Sequence, residues 1–211
     1  TAEPTPAPTK TPAPTNTPEP AVTPAPYFEG AYSPYHAPEA ELQGQAYIMV
    51  DRNTEEMVFF RSDPDNPTDP DGNAFAIDVQ DSRWNIWFYG ENEELNRRYY
   101  KFDESRSHAT SHCYWAWNYY ESDSKYIKSV RMVDPIQPAN LNGAFAYCEN
   151  LETVDLSLMD TSKTTTFGWM FDNANKLKKL DLTSFDTSSL TQMAGMFWRC
   201  ESLTELDVSN F

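Results

Sequence analysis

The chain has 211 residues, 39% hydrophobic and 14% aromatic, and its 16 Lys and Arg against 32 Asp and Glu give a formal net charge of −16. Such a field repels polyanions, so nucleic acid and anionic membrane surfaces are poor partners for the folded part. No apolar run is long enough to cross a bilayer as a helix.

Residues 1–26, TAEPTPAPTKTPAPTNTPEPAVTPAP, carry Pro at almost every second or third position and no aromatic residue. That composition cannot make a core, and repeated Pro holds a chain extended at about 3 Å per residue, so a disordered Pro/Thr-rich linker or stalk is predicted. With no initiating Met and no signal peptide, the sequence reads as an excerpt that starts in a linker and stops inside a repeat.

Residues 27–123 have a different composition and are predicted to form a small β-rich capping domain. AYIMVDRNTEEMVFFRS alternates on both sides of an Asp-Arg-Asn-Thr-Glu turn and predicts a β-hairpin, with a third strand over residues 74–79. Asp63, Asp65, Asp69, Asp71 and Asn73 in SDPDNPTDPDGN offer the oxygen ligands that calcium takes. The run does not match the EF-hand spacing as a whole, so a solvated acidic loop is the competing reading. His108 and His112, beside Cys113, have the spacing of a helical metal pair, but nothing completes a tetrahedral set. Trp84, Trp87, Trp115 and Trp117 are dense enough for a packed aromatic core, with a sugar-stacking platform as the alternative.

Residues 124–211 repeat themselves. Leu151, Asp155, Leu156, Asp160, Thr161, Ser162, Thr165, Met170 and Phe171 recur as Leu177, Asp181, Leu182, Asp186, Thr187, Ser188, Thr191, Met196 and Phe197, a period of 26 residues. Copies start near residues 127, 151, 177 and 203, the last one truncated. In each copy L-x-x-L-D-L predicts a short half-buried strand, and the Asp-Thr-Ser run a turn. Leu190, Met193, Met196, Phe197 and Cys200 fall at helical spacing, predicting a short helix with Thr191 as its N-cap. One coil leaves two faces uncovered and needs neighbours, so the predicted fold is an α/β repeat solenoid with a short strand and a short helix per coil. Cys148 and Cys200 share a slot two coils apart, too far for a disulfide, and are expected as buried thiols.

LDLTSFDTSSLTQMAGMFWRCESLTELDVSNF resembles the repeat of the BspA-like leucine-rich-repeat surface proteins of bacteria, whose units run L-x-x-L-D-L-S-x-F-D-T-S-x-V-T-x-M-x-x-M-F-x-x-C. The resemblance covers about the last 85 residues. Thr164 to Thr166 and Asn173-Ala174-Asn175 depart from it, the latter lacking the Cys. It implies a non-enzymatic binding or adhesion module, extracellular or at a bacterial cell surface, whose partner is a host or neighbouring-cell protein. Alternatives are a targeting or spacer region of a larger secreted enzyme, or glycan binding by the aromatic domain. No cofactor and no catalytic residues are expected, since no nucleophile elbow, zinc helix, phosphate loop or dinucleotide fingerprint occurs. The side chains expected to face outward on the strand wall are Glu152, Thr153, Asp155, Lys178, Lys179, Asp181, Thr204 and Glu205.

Overall fold

The computed structural model describes residues 34–76, 78–82, 85–102, 104–105, 123–209 and 211, and for residues 78–82 and 85–89 the backbone alone. The linker expected over residues 1–26 lies outside the described residues. All described residues belong to one compact unit, Tyr32–Phe211.

A hairpin opens the fold. β1 (Gln45–Asp51) and β2 (Glu56–Ser62) pair antiparallel, with Ile48 opposite Phe59 and Asp51 opposite Glu56. The reversal is closed by Asp51, whose Oδ1 accepts the backbone N–H of Asn53 and Thr54, and by Glu55 at φ +60°. β1 also pairs with β5 (Arg97–Lys101), which pairs with β4 (Asn85–Asn92), and β4 with β3 (Asp78–Ser82), all antiparallel. The third strand was expected over residues 74–79. It begins at Asp78, and Ala74 makes only an isolated bridge to Thr68.

Beyond β2 the sheet changes direction. β6 (Ser129–Met132) pairs parallel to β2, and β7 (Thr153–Val154) parallel to β6, giving the order β3-β4-β5-β1-β2-β6-β7. β8 (Lys179–Asp181) and β9 (Glu205–Asp207) form a second parallel pair. The junction reuses one bonding pattern. Glu55 O accepts from Lys128 N and Ser129 N, Lys128 O from Glu152 N and Thr153 N, and Lys178 O from Thr204 N and Glu205 N, at 2.7 to 3.3 Å throughout. The edge of the hairpin thus offers the first copy the bonds that one copy offers the next.

Both faces of the hairpin are buried, because alternation along β1 sends Ile48 and Val50 one way and Tyr47 and Met49 the other. The first face joins Phe59, Phe145, Phe171 and Leu182 in the main core. The second packs Tyr47, Met49, Val58, Phe60 and Tyr99 beneath Phe75, which stacks on Tyr99 with ring centroids 4.2 Å apart. In the main core Phe145, Phe171 and Phe197, one from each of the first three copies, stack at 5.2 and 6.1 Å.

The expectation of an α/β repeat solenoid is corrected here. The chain is β-rich around a mixed sheet, and the described residues contain no α-helix, only two single 3₁₀ turns at Glu39–Leu42 and Asp123–Tyr126. Residues 194–199, expected as a helix behind Thr191, are consecutive turns, as are 142–147 and 168–173. The cause is backbone sign. Gly143, Trp169 and Gly195 have φ of 67°, 49° and 68°, and Tyr147, Asn173 and Arg199, four residues on, have 61°, 64° and 56°. Two left-handed residues per copy stop a right-handed helix from propagating. Alternate amides then close local turns, as in Ala144 N to Leu141 O and Ala146 N to Gly143 O. Those between reach the next copy, as in Gly143 N to Gly168 O, Phe145 N to Met170 O and Tyr147 N to Asp172 O. A helix would hold every one of these amides within its own copy.

Candidate functional site

The strand wall is the candidate surface. All eight side chains expected to face outward, Glu152, Thr153, Asp155, Lys178, Lys179, Asp181, Thr204 and Glu205, are exposed. On β8 alternation accounts for it, Leu180 between Lys179 and Asp181 being 4% exposed and in the core, whereas β9 is exposed along its whole length, Leu206 included. Part of the chemistry is taken up structurally. Asp155 Oδ1 accepts from Ser157 N and Asp181 Oδ1 from Thr183 N, each at 2.9 Å, so these carboxylates hold the turn after the strand. Lys179 Nζ lies 2.7 Å from Glu205 Oε2 across β8 and β9. Glu152, Thr153, Lys178 and Thr204 complete a surface of mixed sign.

The acidic loop is organised around an arginine. Asp69, its side chain fully buried, accepts from Arg97 Nη1 at 2.7 Å, Tyr99 Oη at 2.9 Å, the Asn73 side chain at 3.1 and 3.2 Å, and the backbone N–H of Asp71 and Asn73. Arg97 also pairs with Asp51 at 2.7 Å and Asp71 at 2.6 Å. Burial pushes the Asp69 carboxyl up, but the bonds from Asn73, Tyr99 and Arg97 outweigh it and hold it below the usual range. Burial and Asp69 push the Tyr99 phenol up. A guanidinium therefore sits where a cation would. Asp63 and Asp65 are exposed, Asp63 Oδ1 capping Asp65 N at 2.9 Å. Among the described residues no group of three His, Cys, Asp or Glu could hold a metal ion. His108, His112, Cys113, Trp84, Trp115 and Trp117 lie outside the described residues, as does the side chain of Trp87.

Three further features left no signal in the sequence pattern. Asp123, fully buried, accepts from Arg52 Nε at 2.8 Å and Nη2 at 2.6 Å and from Tyr100 Oη, with Arg98 Nη1 at 3.5 Å. Arg61 joins Glu104 Oε1 at 2.5 Å and Pro135 O at 2.8 Å, tying the hairpin to the first copy. Residues 34–37 run across the Asp-Thr-Ser turns of two copies, Tyr35 N donating to Ser184 O, Ala37 N to Asp160 Oδ2 and His36 Nε2 pairing with Asp186 Oδ2, all at 2.8 to 2.9 Å. Cys148 and Cys200 are free thiols, but only Cys148 is fully buried, Cys200 being half-buried against the expectation, and burial pushes Cys200 up to about 11.

Residues 116–211 match a family described as "Mycoplasma protein of unknown function, DUF285". The matched stretch spans every copy from β6 to the last described residue. No curated protein and no solved structure matches the chain. No helix among the described residues is long and apolar enough to cross a membrane.

Proposed function

We propose that the chain is a non-enzymatic binding module, secreted or displayed at a bacterial cell surface, whose strand wall meets a surface protein of a host or neighbouring cell. The observation that carries this reading is the fixed spacing of exposed charge. Bonds that Lys128 O and Lys178 O accept from the strand of the following copy, with Phe167 N to Gln192 O and Phe171 N to Met196 O between the second and third copies, hold successive copies in one register. The wall side chains are therefore presented as an ordered array of both signs, which favours orientation and partner choice over bulk affinity. The resemblance of the repeat to BspA-like surface proteins supports the same compartment and class.

The test is flow cytometry of the labelled intact chain on live epithelial and bacterial cells, against the double variant Lys178→Glu, Lys179→Glu. Saturable binding that the variant loses while its circular dichroism stays unchanged is the expected result. Binding that is unsaturable, or that the variant keeps, would remove the strand wall from consideration.

A further inference from the structure

We infer that the turn wall of the copies, over residues 142–147, 168–173 and 194–199, carries a carbohydrate-binding platform centred on Trp169, flanked by Trp198 and Tyr147, that takes a neutral pyranose. This surface is separate from the strand wall and does not depend on the function proposed for it.

The copies act as each other's control. Where the architecture requires an aromatic residue, it recurs, as Phe145, Phe171 and Phe197 do in one slot, stacked on one another. The three aromatic residues of the platform do not recur. The slot of Trp169 holds Gly143 and Gly195 in the neighbouring copies, that of Trp198 holds Ala146 and Asp172, and that of Tyr147 holds Asn173 and Arg199. All three rings are nonetheless exposed, Trp169 by 42%, Trp198 by 59% and Tyr147 by 40%. Packing does not account for large apolar side chains at positions that glycine, alanine and polar residues fill equally well.

Trp169 also stands against a backbone preference. Its φ of 49° is one that glycine adopts freely and a bulky residue rarely does, and the glycines in its slot have φ of 67° and 68°. The next copy makes room for it. A Cβ added to Gly195 would lie 2.6, 2.7 and 3.1 Å from Nε1, Cδ1 and Cε2 of the Trp169 indole. Such similar distances to three ring atoms mean that the ring turns its face, not its edge, to the glycine, and the side chain stays 42% exposed. Trp198 lies on the next copy's turn, its backbone N–H donating to Gly195 O at 2.9 Å and its own carbonyl accepting from Asn173 N at 2.8 Å, which sets it beside the turn that carries Trp169.

The surroundings select the ligand class. Asn173 Nδ2 donates to Glu149 Oε1 at 3.0 Å, and Arg199 lies within electrostatic range of Asp172. Ring-sized apolar faces set among an amide and charges of both signs match a pyranose, whose C–H faces stack on aromatic rings while its hydroxyls both donate and accept. A net charge of −16 disfavours anionic ligands.

The experiment titrates the intact chain with chitotriose, cellotetraose and maltotetraose to about 10 mM, following tryptophan fluorescence and calorimetry. Trp169→Gly installs the residue of the two equivalent slots, so it leaves the fold intact and relieves the backbone. The expected result is saturable binding of at least one saccharide that Trp169→Gly weakens by about tenfold or more, with circular dichroism and Tm preserved. Trp198→Ala should weaken it less, and Lys178→Glu with Lys179→Glu should leave it unchanged. No binding to any saccharide, binding undiminished in Trp169→Gly, or binding lost equally in the lysine variant would overturn the proposal.

Discussion

The hairpin region and the repeated copies solve the same problem, buried polar groups, by opposite means. In residues 45–102 long cationic side chains reach across strands: Arg97 gathers Asp51, Asp69 and Asp71, and Arg52 and Arg98 converge on Asp123. In the copies, short side chains bond backbone one copy away. Thr161 Oγ1 accepts from Asp186 N at 2.7 Å and donates to Asp186 O at 3.0 Å, and Thr164 Oγ1 donates to Pro138 O at 2.5 Å. The first device concentrates stability in a few irreplaceable groups, while the second spreads it over every copy. A repeated sequence can copy the second device but not the first, because an arginine network needs partners from unlike strands.

The sharpest way to break this contrast is to remove one member of the arginine network. Asp69→Ala leaves the Arg97 guanidinium and the Tyr99 hydroxyl without their shared buried acceptor, and should cost about 3 to 5 kcal/mol in urea unfolding. A loss near that expected for an exposed ion pair would show that concentration of stability in the hairpin is wrong. Phe171→Ala is the counterpart in the copies, since the ring is fully buried between Phe145 and Phe197. It should cost about 3 to 5 kcal/mol, and Phe197→Ala less, because Phe197, in the third copy, is only half-buried. The same measurement on Thr161→Val, which strands the Asp186 N–H, should give about 1 to 3 kcal/mol.

The same contrast explains what could be read from the sequence. Register between copies was legible because the period repeats side chains that meet only when copies lie side by side, Phe145 on Phe171 on Phe197 among them. The outward positions of Lys179 and Asp181 were legible because alternation about the buried Leu180 settles them. The helix was misread because Leu190, Met193, Met196, Phe197 and Cys200 step by three or four residues, a spacing that successive three-residue turns share with a helix. The deciding signal lay elsewhere, in Gly143 and Gly195 at one slot, the residue type that a left-handed backbone favours. The role of Asp69 was out of reach, since the five-residue acidic pattern says nothing of an arginine 28 residues away.

Acid should separate the two regions further. Asp51, Asp69, Asp160 and Asp186 are all held below the ordinary carboxylate range. At Asp51, Asp69 and Asp160 hydrogen bonds outweigh burial, and at Asp186 the bonds from Ser188 dominate. A carboxyl whose folded pKa lies below its unfolded value adds stability that is present above the unfolded value and lost as pH falls through the folded one. The Tm should thus hold steady from neutral pH down to about pH 5 and fall below about pH 4. Asp69→Asn should flatten part of that fall, and an unchanged acid profile in this variant would assign the effect to the copies alone.

The smallest effect is expected on the strand wall, and it is informative because it is small. Lys179 and Glu205 lie 2.7 Å apart across β8 and β9 with relative side-chain exposures of 67% and 54%. Water and salt screen such a pair, so Lys179→Ala should shift stability by less than about 0.5 kcal/mol. That makes it the variant with which to test the wall for binding, because any change in cell association can then be read as lost contact. A destabilisation of more than about 1 kcal/mol would mean that the pair helps hold β9 to β8. The wall would then be part of the scaffold's own structure and not a surface left over for a partner.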